Sequence, residues 1–319
     1  MERIVMIILV TAFVAGCGAN KAQVAESLRI NELMGYNASK FKDEDKEYDD
    51  WLEIYNAADS AVNMAGMYFS DNPKKPKKWK VPADKMGRTT VPGKGRLVFW
   101  FDKDEKQGPH HADLKISAGG GWVGLYASDG ETLVDSVRFG RMYRNITWGR
   151  LPGDPETWTY MRRYTPGEPN ITVKLEGVAE RPKFSQESGF YEGVIQVELE
   201  GEGPIYYSVN GRRPDSSRGI LYTGPITIDS TTVIRAKSFR KGYLPSLVTT
   251  HTFLIDERNF GLPVVSVTAD PSHLYGGRRG IFLDHNNQTK REYPAHVTFF
   301  DSTRVLGFEQ DLGIKLQGR

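Results

Sequence analysis

The sequence predicts a mainly β chain: a large antiparallel sandwich, then a smaller sandwich, then a short, incomplete α+β segment. Three observations predict it. Short stretches alternating in side-chain direction recur along the chain, the two-residue period of strands, and no sustained 3.6-residue period competes with them. The 33 Gly and 17 Pro of the 319 residues supply turns between these stretches, and 15 Tyr with 15 Phe suit strands. All six tryptophans (Trp51, Trp79, Trp100, Trp122, Trp148 and Trp158) fall in one part of the chain. That composition shift puts the end of a first domain near Pro169-Asn170.

The N-terminus comes first in order. Residues 4–14 are almost wholly apolar and lead into Val14-Ala15-Gly16-Cys17, the last being the single cysteine of the chain. A run of about a dozen apolar residues is short of the roughly 20 that cross a bilayer, so it reads as a signal h-region. The string resembles the lipobox of bacterial lipoproteins. That resemblance implies a signal peptide over residues 1–16, a lipid on Cys17 and a tether over residues 17–27. An ordinary secretory signal with an incidental cysteine, or a buried thiol, is the alternative, and Glu2 offsets Arg3 in the n-region. No acidic residue follows Cys17 directly, which suits sorting to the outer membrane of a bacterial cell envelope. Cleavage would leave no cysteine pair for a disulfide or a zinc site. The net charge of +2 gives no reason to expect nucleic acid as a partner.

The first sandwich is expected over residues 28–170. Residues 28–33 and 51–55 alternate, so that Leu52 and Ile54 share a face. Residues 97–101 form a more continuous apolar run, expected of a strand buried on both faces. Asp129-Gly130 between residues 122–127 and 132–139 predicts a hairpin with a type I′ turn. Ile30-Asn31-Glu32-Leu33-Met34, Asp50-Trp51-Leu52-Glu53-Ile54-Tyr55-Asn56 and Val62-Asn63-Met64-Ala65-Gly66 carry a further signal. With Leu133-Val134-Asp135-Ser136-Val137, Trp148-Gly149-Arg150 and Thr165-Pro166-Gly167-Glu168-Pro169-Asn170, they resemble the lamin-tail domain. The resemblance implies an immunoglobulin-like β-sandwich that is mostly a non-catalytic interaction and architectural module.

A linker is expected over residues 171–181, then a second module over 182–255. Residues 205–209 and 232–239 read as strands, with Asn210-Gly211 as a tight turn. Tyr206-Tyr207, Leu221-Tyr222-Thr223-Gly224-Pro225-Ile226 and the strand from Thr232 resemble the chitobiase/β-hexosaminidase C-terminal type of domain. That family is a small sandwich without catalytic residues of its own. Asn210-Gly211-Arg212-Arg213-Pro214 departs from the family, which commonly has an acidic turn residue and a threonine after the proline. The final stretch, residues 256–319, resembles the beginning of the CotH-like family of atypical kinases. The resemblance rests on residues 262–267, Arg279-Gly280-Ile281-Phe282, residues 294–301 and residues 307–316. The nucleotide-binding and catalytic segments of that family would lie beyond Arg319, so no kinase residue is assigned and a partial protein is expected. Ile314 and Leu316 are expected to lie on a strand with nothing to pair against.

Candidate chemistry is sparse. Gly119, Gly121 and Gly124 have GxGxxG spacing, but the following residues read as a strand, where a dinucleotide site needs a helix. Asp43, Glu44, Asp45, Glu47, Asp49 and Asp50 form an acidic loop. Asp43, Asp45, Asp49 and Asp50 are its weak calcium candidates, because calcium takes six to eight oxygens. The loop has no EF-hand glycine, and Lys46 interrupts it, so a solvated loop is the favoured reading. Lys74, Lys75, Lys77, Lys78 and Lys80 around Trp79 form a basic loop, read as solvated rather than polyanion-binding. His110, His111, His251, His273, His285 and His296 show no metal spacing and are expected at surfaces or edges. Most tryptophans are expected in the core, leaving few to stack on sugars.

No cofactor and no catalytic residue are expected. The function read from the sequence is a lipid-anchored envelope protein displaying sandwich modules to an unknown envelope protein or glycan. The alternatives are the N-terminal part of a CotH-like kinase lipoprotein and a glycan-binding accessory protein.

Overall fold

The computed structural model describes residues 27–84, 86–276, 280–282 and 292–316. Cys17 and the apolar run before it lie outside the described residues. The chain divides into two compact units, Met1–Leu175 and Glu176–Arg319.

In the first unit the strands are β1 (Leu28–Met34), β2 (Trp51–Asn56), β3 (Val62–Asn63), β4 (Tyr68–Ser70), β5 (Trp79–Lys80) and β6 (Thr90–Val91). They continue with β7 (Arg96–Trp100), β8 (Gly121–Tyr126), β9 (Leu133–Phe139), β10 (Thr147–Leu151) and β11 (Asp154–Met161). One sheet has the order β11-β10-β1-β2-β7, a second β5-β4-β8-β9, and β3 pairs with β6. Leu28, Ile30, Leu52, Ile54 and Phe99 of the first sheet pack with Phe69, Val123, Leu125 and Val137 of the second. The result is an immunoglobulin-like sandwich core. Phe69 sits at its aromatic centre, with ring centroids 5.1 Å from Phe99, 5.6 Å from Phe101 and 6.0 Å from Trp79.

The outer face of the five-stranded sheet is buried too. Met34, Trp51 and Trp100 form a separate small core there with Phe41, Val98 and Tyr164. A one-residue bulge sits in β1: Ile30 faces Ile54 while Glu32 faces Glu53, so Asn31 is the extra residue. A bulge of this kind re-aims side chains. Here it brings Asn31 and Glu32 together on the outer face.

Two expectations for this unit need correction. The strand at residues 97–101 is the sheet edge β7, and Arg96, Leu97 and Val98 are only half-buried. Its apolar run reflects the small outer core rather than two fully covered faces. The β8–β9 hairpin forms as expected. Its turn is not type I′, which needs positive φ at two residues. Only Gly130 has it, at 69°, while the Asp129 carboxylate accepts the N–H groups of Glu131 and Thr132.

The second unit has β12 (Lys183–Phe184), β13 (Gly189–Tyr191), β14 (Ile195–Val197), β15 (Leu199–Glu200) and β16 (Ile205–Ser208). Then come β17 (Ile220–Leu221), β18 (Ile226–Ile228), β19 (Thr232–Ser238) and β20 (Thr249–Ile255). The main sheet runs β13-β20-β19-β16-β17 and packs on the pairs β14-β18 and β12-β15. Val197, Leu199, Ile205, Ile226, Ile234 and Phe253 are central to its core. Gly211 has φ 76°, and a Cβ there would lie 2.7 Å from the Ala269 carbonyl oxygen. Both facts require glycine at this turn.

The last residues form β21 (Val264–Ala269), the five-residue helix α1 (Pro271–Tyr275), β22 (Tyr293–Phe300) and β23 (Leu306–Ile314). The three strands make one antiparallel sheet. Ile314 pairs with Tyr293, so this strand does have a partner. The sheet packs on the second sandwich through Phe190 against Phe300, centroids 5.2 Å apart, and through Thr252 and Thr298 hydroxyls 3.2 Å apart.

Candidate functional site

The entry to β2 and the exit from β7 meet at one end of the five-stranded sheet, because Trp51 pairs with Trp100. The Phe101 N–H donates to the Asp50 carbonyl at 2.8 Å, which extends that pairing by one residue. Segment 110–112 then zips along Trp100: its N–H donates to the His110 carbonyl, and the Ala112 N–H to the Trp100 carbonyl, both at 2.8 Å. Pairing therefore delivers Asp49, Asp102 and His111 to one place from three separate parts of the chain.

The acidic loop folds over this end and is stapled at both sides by Asn37, which is 5% exposed. The Asn37 amide donates to the carbonyls of Phe41 and of Asp49 (2.9 Å), and its Oδ1 accepts the N–H groups of Lys40 and Phe41. Phe41 stacks on Trp100 with centroids 5.1 Å apart and meets Trp51 edge-on. Within the loop, Asp43 closes a turn: its Oδ1 accepts the Glu47 N–H at 2.7 Å, and its N–H donates to the Glu47 carbonyl. Asn37→Ala is expected to destabilise the first unit by about 1–3 kcal/mol, the cost of leaving buried carbonyls unpaired. Urea unfolding followed by tryptophan fluorescence checks this, since every tryptophan belongs to the first unit; an unchanged midpoint would refute it.

Asp43, Glu47 and Asp49 each place a carboxylate oxygen within 4.8 Å of the others, and so do Asp43, Asp102 and the His111 ring. Asp43 is common to both groups and is 8% exposed. Its Oδ2 and the Asp49 Oδ2 are buried without a hydrogen-bond partner. His111, 2% exposed, has Nδ1 2.5 Å from Asp102 Oδ2 and Nε2 3.5 Å from Glu44 Oε2. The Gln107 amide, carried on a 3-10 turn at Glu105–Gln107, donates to Glu47 at 3.2 Å. Burial, then repulsion from Asp102, Asp43 and Glu47, pushes the Asp49 carboxyl up to about 6. A hollow of about 350 Å³ adjoins the cluster, lined by Tyr48, Asp49, Asp50, Asp102 and Lys115 among others.

Of the four acidic candidates, Asp43 and Asp49 converge and the other two do not. Asp45 is exposed at the loop tip. Asp50 belongs to neither group; burial pushes it up to about 7 against the opposing charge of Lys115. Sequence reasoning missed Asp102 and His111. They lie more than fifty residues along the chain, and only the β2–β7 pairing makes them neighbours of the loop.

Other expected features settle differently. Trp79 is 4% exposed in the core and donates its Nε1 to Glu105 at 2.6 Å, so the basic loop has no surface aromatic there. Lys78 pairs with Asp71 at 2.5 Å, and Lys80 lies over the Tyr68 ring. Gly121 and Gly124 lie in β8, a strand. Two histidines expected at surfaces or edges are buried, namely His111 and His296, the latter 3.0 Å from Asp311. Burial opposes protonation of His296, but its bond to Asp311 and the nearby Glu309 carboxylate outweigh it and raise its pKa. His285 lies outside the described residues.

Residues 21–141 match the family model of the Lamin Tail Domain, and residues 186–250 that of the Chitobiase/beta-hexosaminidase C-terminal domain. The first unit carries a lamin-tail domain. The second carries the chitobiase-type domain. No curated protein and no solved structure matches the chain. The lamin-tail match contains the whole acidic cluster, from Asp43 to His111, and stops short of Arg150 and the 165–170 segment, both of which pack into the same unit.

Proposed function

We propose that this protein is a lipid-anchored component of a bacterial cell envelope that displays its two sandwich domains to a protein or glycan partner. The observation that carries the reading is the order of parts: an apolar run ending in Val14-Ala15-Gly16-Cys17, then a lamin-tail and a chitobiase-type domain. Both domain types are non-catalytic modules, which supports binding and display over turnover. Among the described residues no helix is long and apolar enough to cross a membrane. A lipid on Cys17 would supply the contact, and stable anchoring takes more than one acyl chain. Labelling with radioactive palmitate is expected to mark the wild-type chain and leave Cys17→Ala unlabelled. Equal labelling of the two would remove the anchor from this reading.

A second reading is the N-terminal part of a CotH-like kinase lipoprotein. It is favoured by residues 262–267, 294–301 and 307–316, whose strands form one sheet. The DNA after the Arg319 codon tests it: in-frame nucleotide-binding segments support the kinase reading, and a stop codon removes it. The glycan-accessory reading is tested by a glycan array probed with the full chain in detergent. Binding to no sugar at millimolar concentration would dismiss it.

A further inference from the structure

We propose that Asp43, Glu47 and Asp49 hold a calcium ion at the end of the five-stranded sheet, where the 37–50 loop meets Asp102 and His111. The three carboxylate oxygens lie within 4.8 Å of one another, a spacing at which one cation can bridge them. The cluster has more than acidity to recommend it. Asp43 is over nine-tenths buried, its Oδ1 is engaged by the Glu47 N–H, and its Oδ2 has no partner. Leaving a buried carboxylate oxygen unpaired is costly, and a cation removes that cost. Asp49 Oδ2 is in the same condition, and so is the Gln107 Oε1, on a side chain whose amide nitrogen already touches Glu47.

The donor set selects the ion. His111 has Nδ1 committed to Asp102, its Nε2 lies 3.5 Å from Glu44, and its ring is not part of the Asp43–Glu47–Asp49 group. What remains is an all-oxygen set of three carboxylates, with the Gln107 carbonyl close by. Hard cations with flexible coordination take such a set, and calcium fills its remaining positions with water. Softer ions such as zinc would favour the nitrogen-containing group instead. The Asn37 staple and the stacked Phe41 hold the loop in place before any ion arrives, so little ordering is needed on binding. This inference is independent of the lipid anchor and of the partner.

The test uses the full chain in detergent, stripped with EDTA and titrated with calcium chloride by calorimetry, with terbium luminescence as a second readout. One calcium per chain is expected, with a dissociation constant of about 0.1–1 mM, the range of extracellular modules. The tryptophan-reported melting transition should rise with added calcium. Glu47→Gln and Asp49→Asn should each weaken binding by about tenfold or more. In EDTA the same two variants should melt no lower than wild type, because each removes a repelling charge; this separates lost ligation from lost folding. His111→Gln should still bind calcium. No saturable binding by the folded wild-type chain up to about 10 mM, well above that range, would overturn the proposal. So would affinity unchanged in both carboxylate variants, or zinc binding that needs His111 and ignores Glu47.

Discussion

Arg150→Ala is expected to destabilise the first unit by about 3–5 kcal/mol, the usual cost of stripping one partner from a buried ion pair. Arg150 is 8% exposed and ties four strands together. Its Nε donates to the Ile30 carbonyl of β1 at 2.8 Å, and another nitrogen donates to the Pro155 carbonyl of β11. The third reaches both oxygens of Asp135 on β9, at 2.8 and 3.1 Å. Asp135 in turn accepts the Ile30 N–H at 2.7 Å. β9 belongs to one sheet and β1, β10 and β11 to the other, so this pair is a polar rivet through the edge of the sandwich. The guanidinium also lies 4.8 Å from the Trp158 ring, which lysine could not match. Urea unfolding at neutral pH, read by tryptophan fluorescence, measures the loss. A cost under about 1 kcal/mol, the value of an exposed pair, would show that water reaches Asp135 and refute the buried geometry.

The second large effect is a fall in the stability of the first unit as pH rises from about 4.5 to about 7. Glu32 and Glu53 are fully buried opposite one another on β1 and β2. Burial pushes both carboxyls up to about 7, from 4.5. Hydrogen bonds to Glu32 from Thr165, and to Glu53 from Asn31 and Gly167, limit the rise. Between these two values the folded chain keeps protons that the unfolded chain has released. Unfolding then releases protons, so raising the pH favours it. The contribution is fully present below about 4.5 and gone above about 7. Its size is about 3 kcal/mol, that of one such shift rather than the sum of two, because the pair titrates as a unit. Asp49 and Asp50, also raised, act with the same sign. Denaturation midpoints at several pH values test this, and Glu32→Gln should flatten the slope. A wild-type midpoint that rises over this interval would contradict the assignment.

These two constellations explain what the motif residues of the first domain do. Asn31, Glu32, Glu53, Thr165 and Asn170 come from three separate motifs and form one buried network, which the exposed Gly167 joins through its N–H to Glu53. Asn31 donates to Glu53 at 2.7 Å and to Asn170 at 2.9 Å, and Thr165 donates its hydroxyl to Glu32 at 2.8 Å. The network pins the 165–170 segment over β1 and β2. Asp135 and Arg150, from two further motifs, form the rivet. These residue types would suit acid–base chemistry, but here their hydrogen bonds are spent holding strands and loops together.

Much of the fold was legible because it depends on local pattern. Alternation at residues 51–55 requires a strand whatever it packs against, and Asp129-Gly130 marks a chain reversal. The order of the motifs was enough to place the lamin-tail and chitobiase-type domains. The kind of turn was not legible, because the Asp129 side chain satisfies its own backbone and leaves only Gly130 at positive φ. Nor was the edge position of β7, since an apolar run looks the same beside a small outer core as between two layers.

The sequence by itself determined the strand content, the sequence of domains and the presence of an acidic loop, because each rests on neighbouring residues. Only the tertiary structure decided which acids converge. Asp43 and Asp49 turn inward while Asp45 stays in solvent and Asp50 lies apart, within the field of Lys115, although all four lie within eight residues. Asp102 and His111 reach them through β2–β7 pairing and the bridge from Trp100 to His111, contacts between distant segments. Strand pairing made the site, and no local spacing encodes which strands will pair.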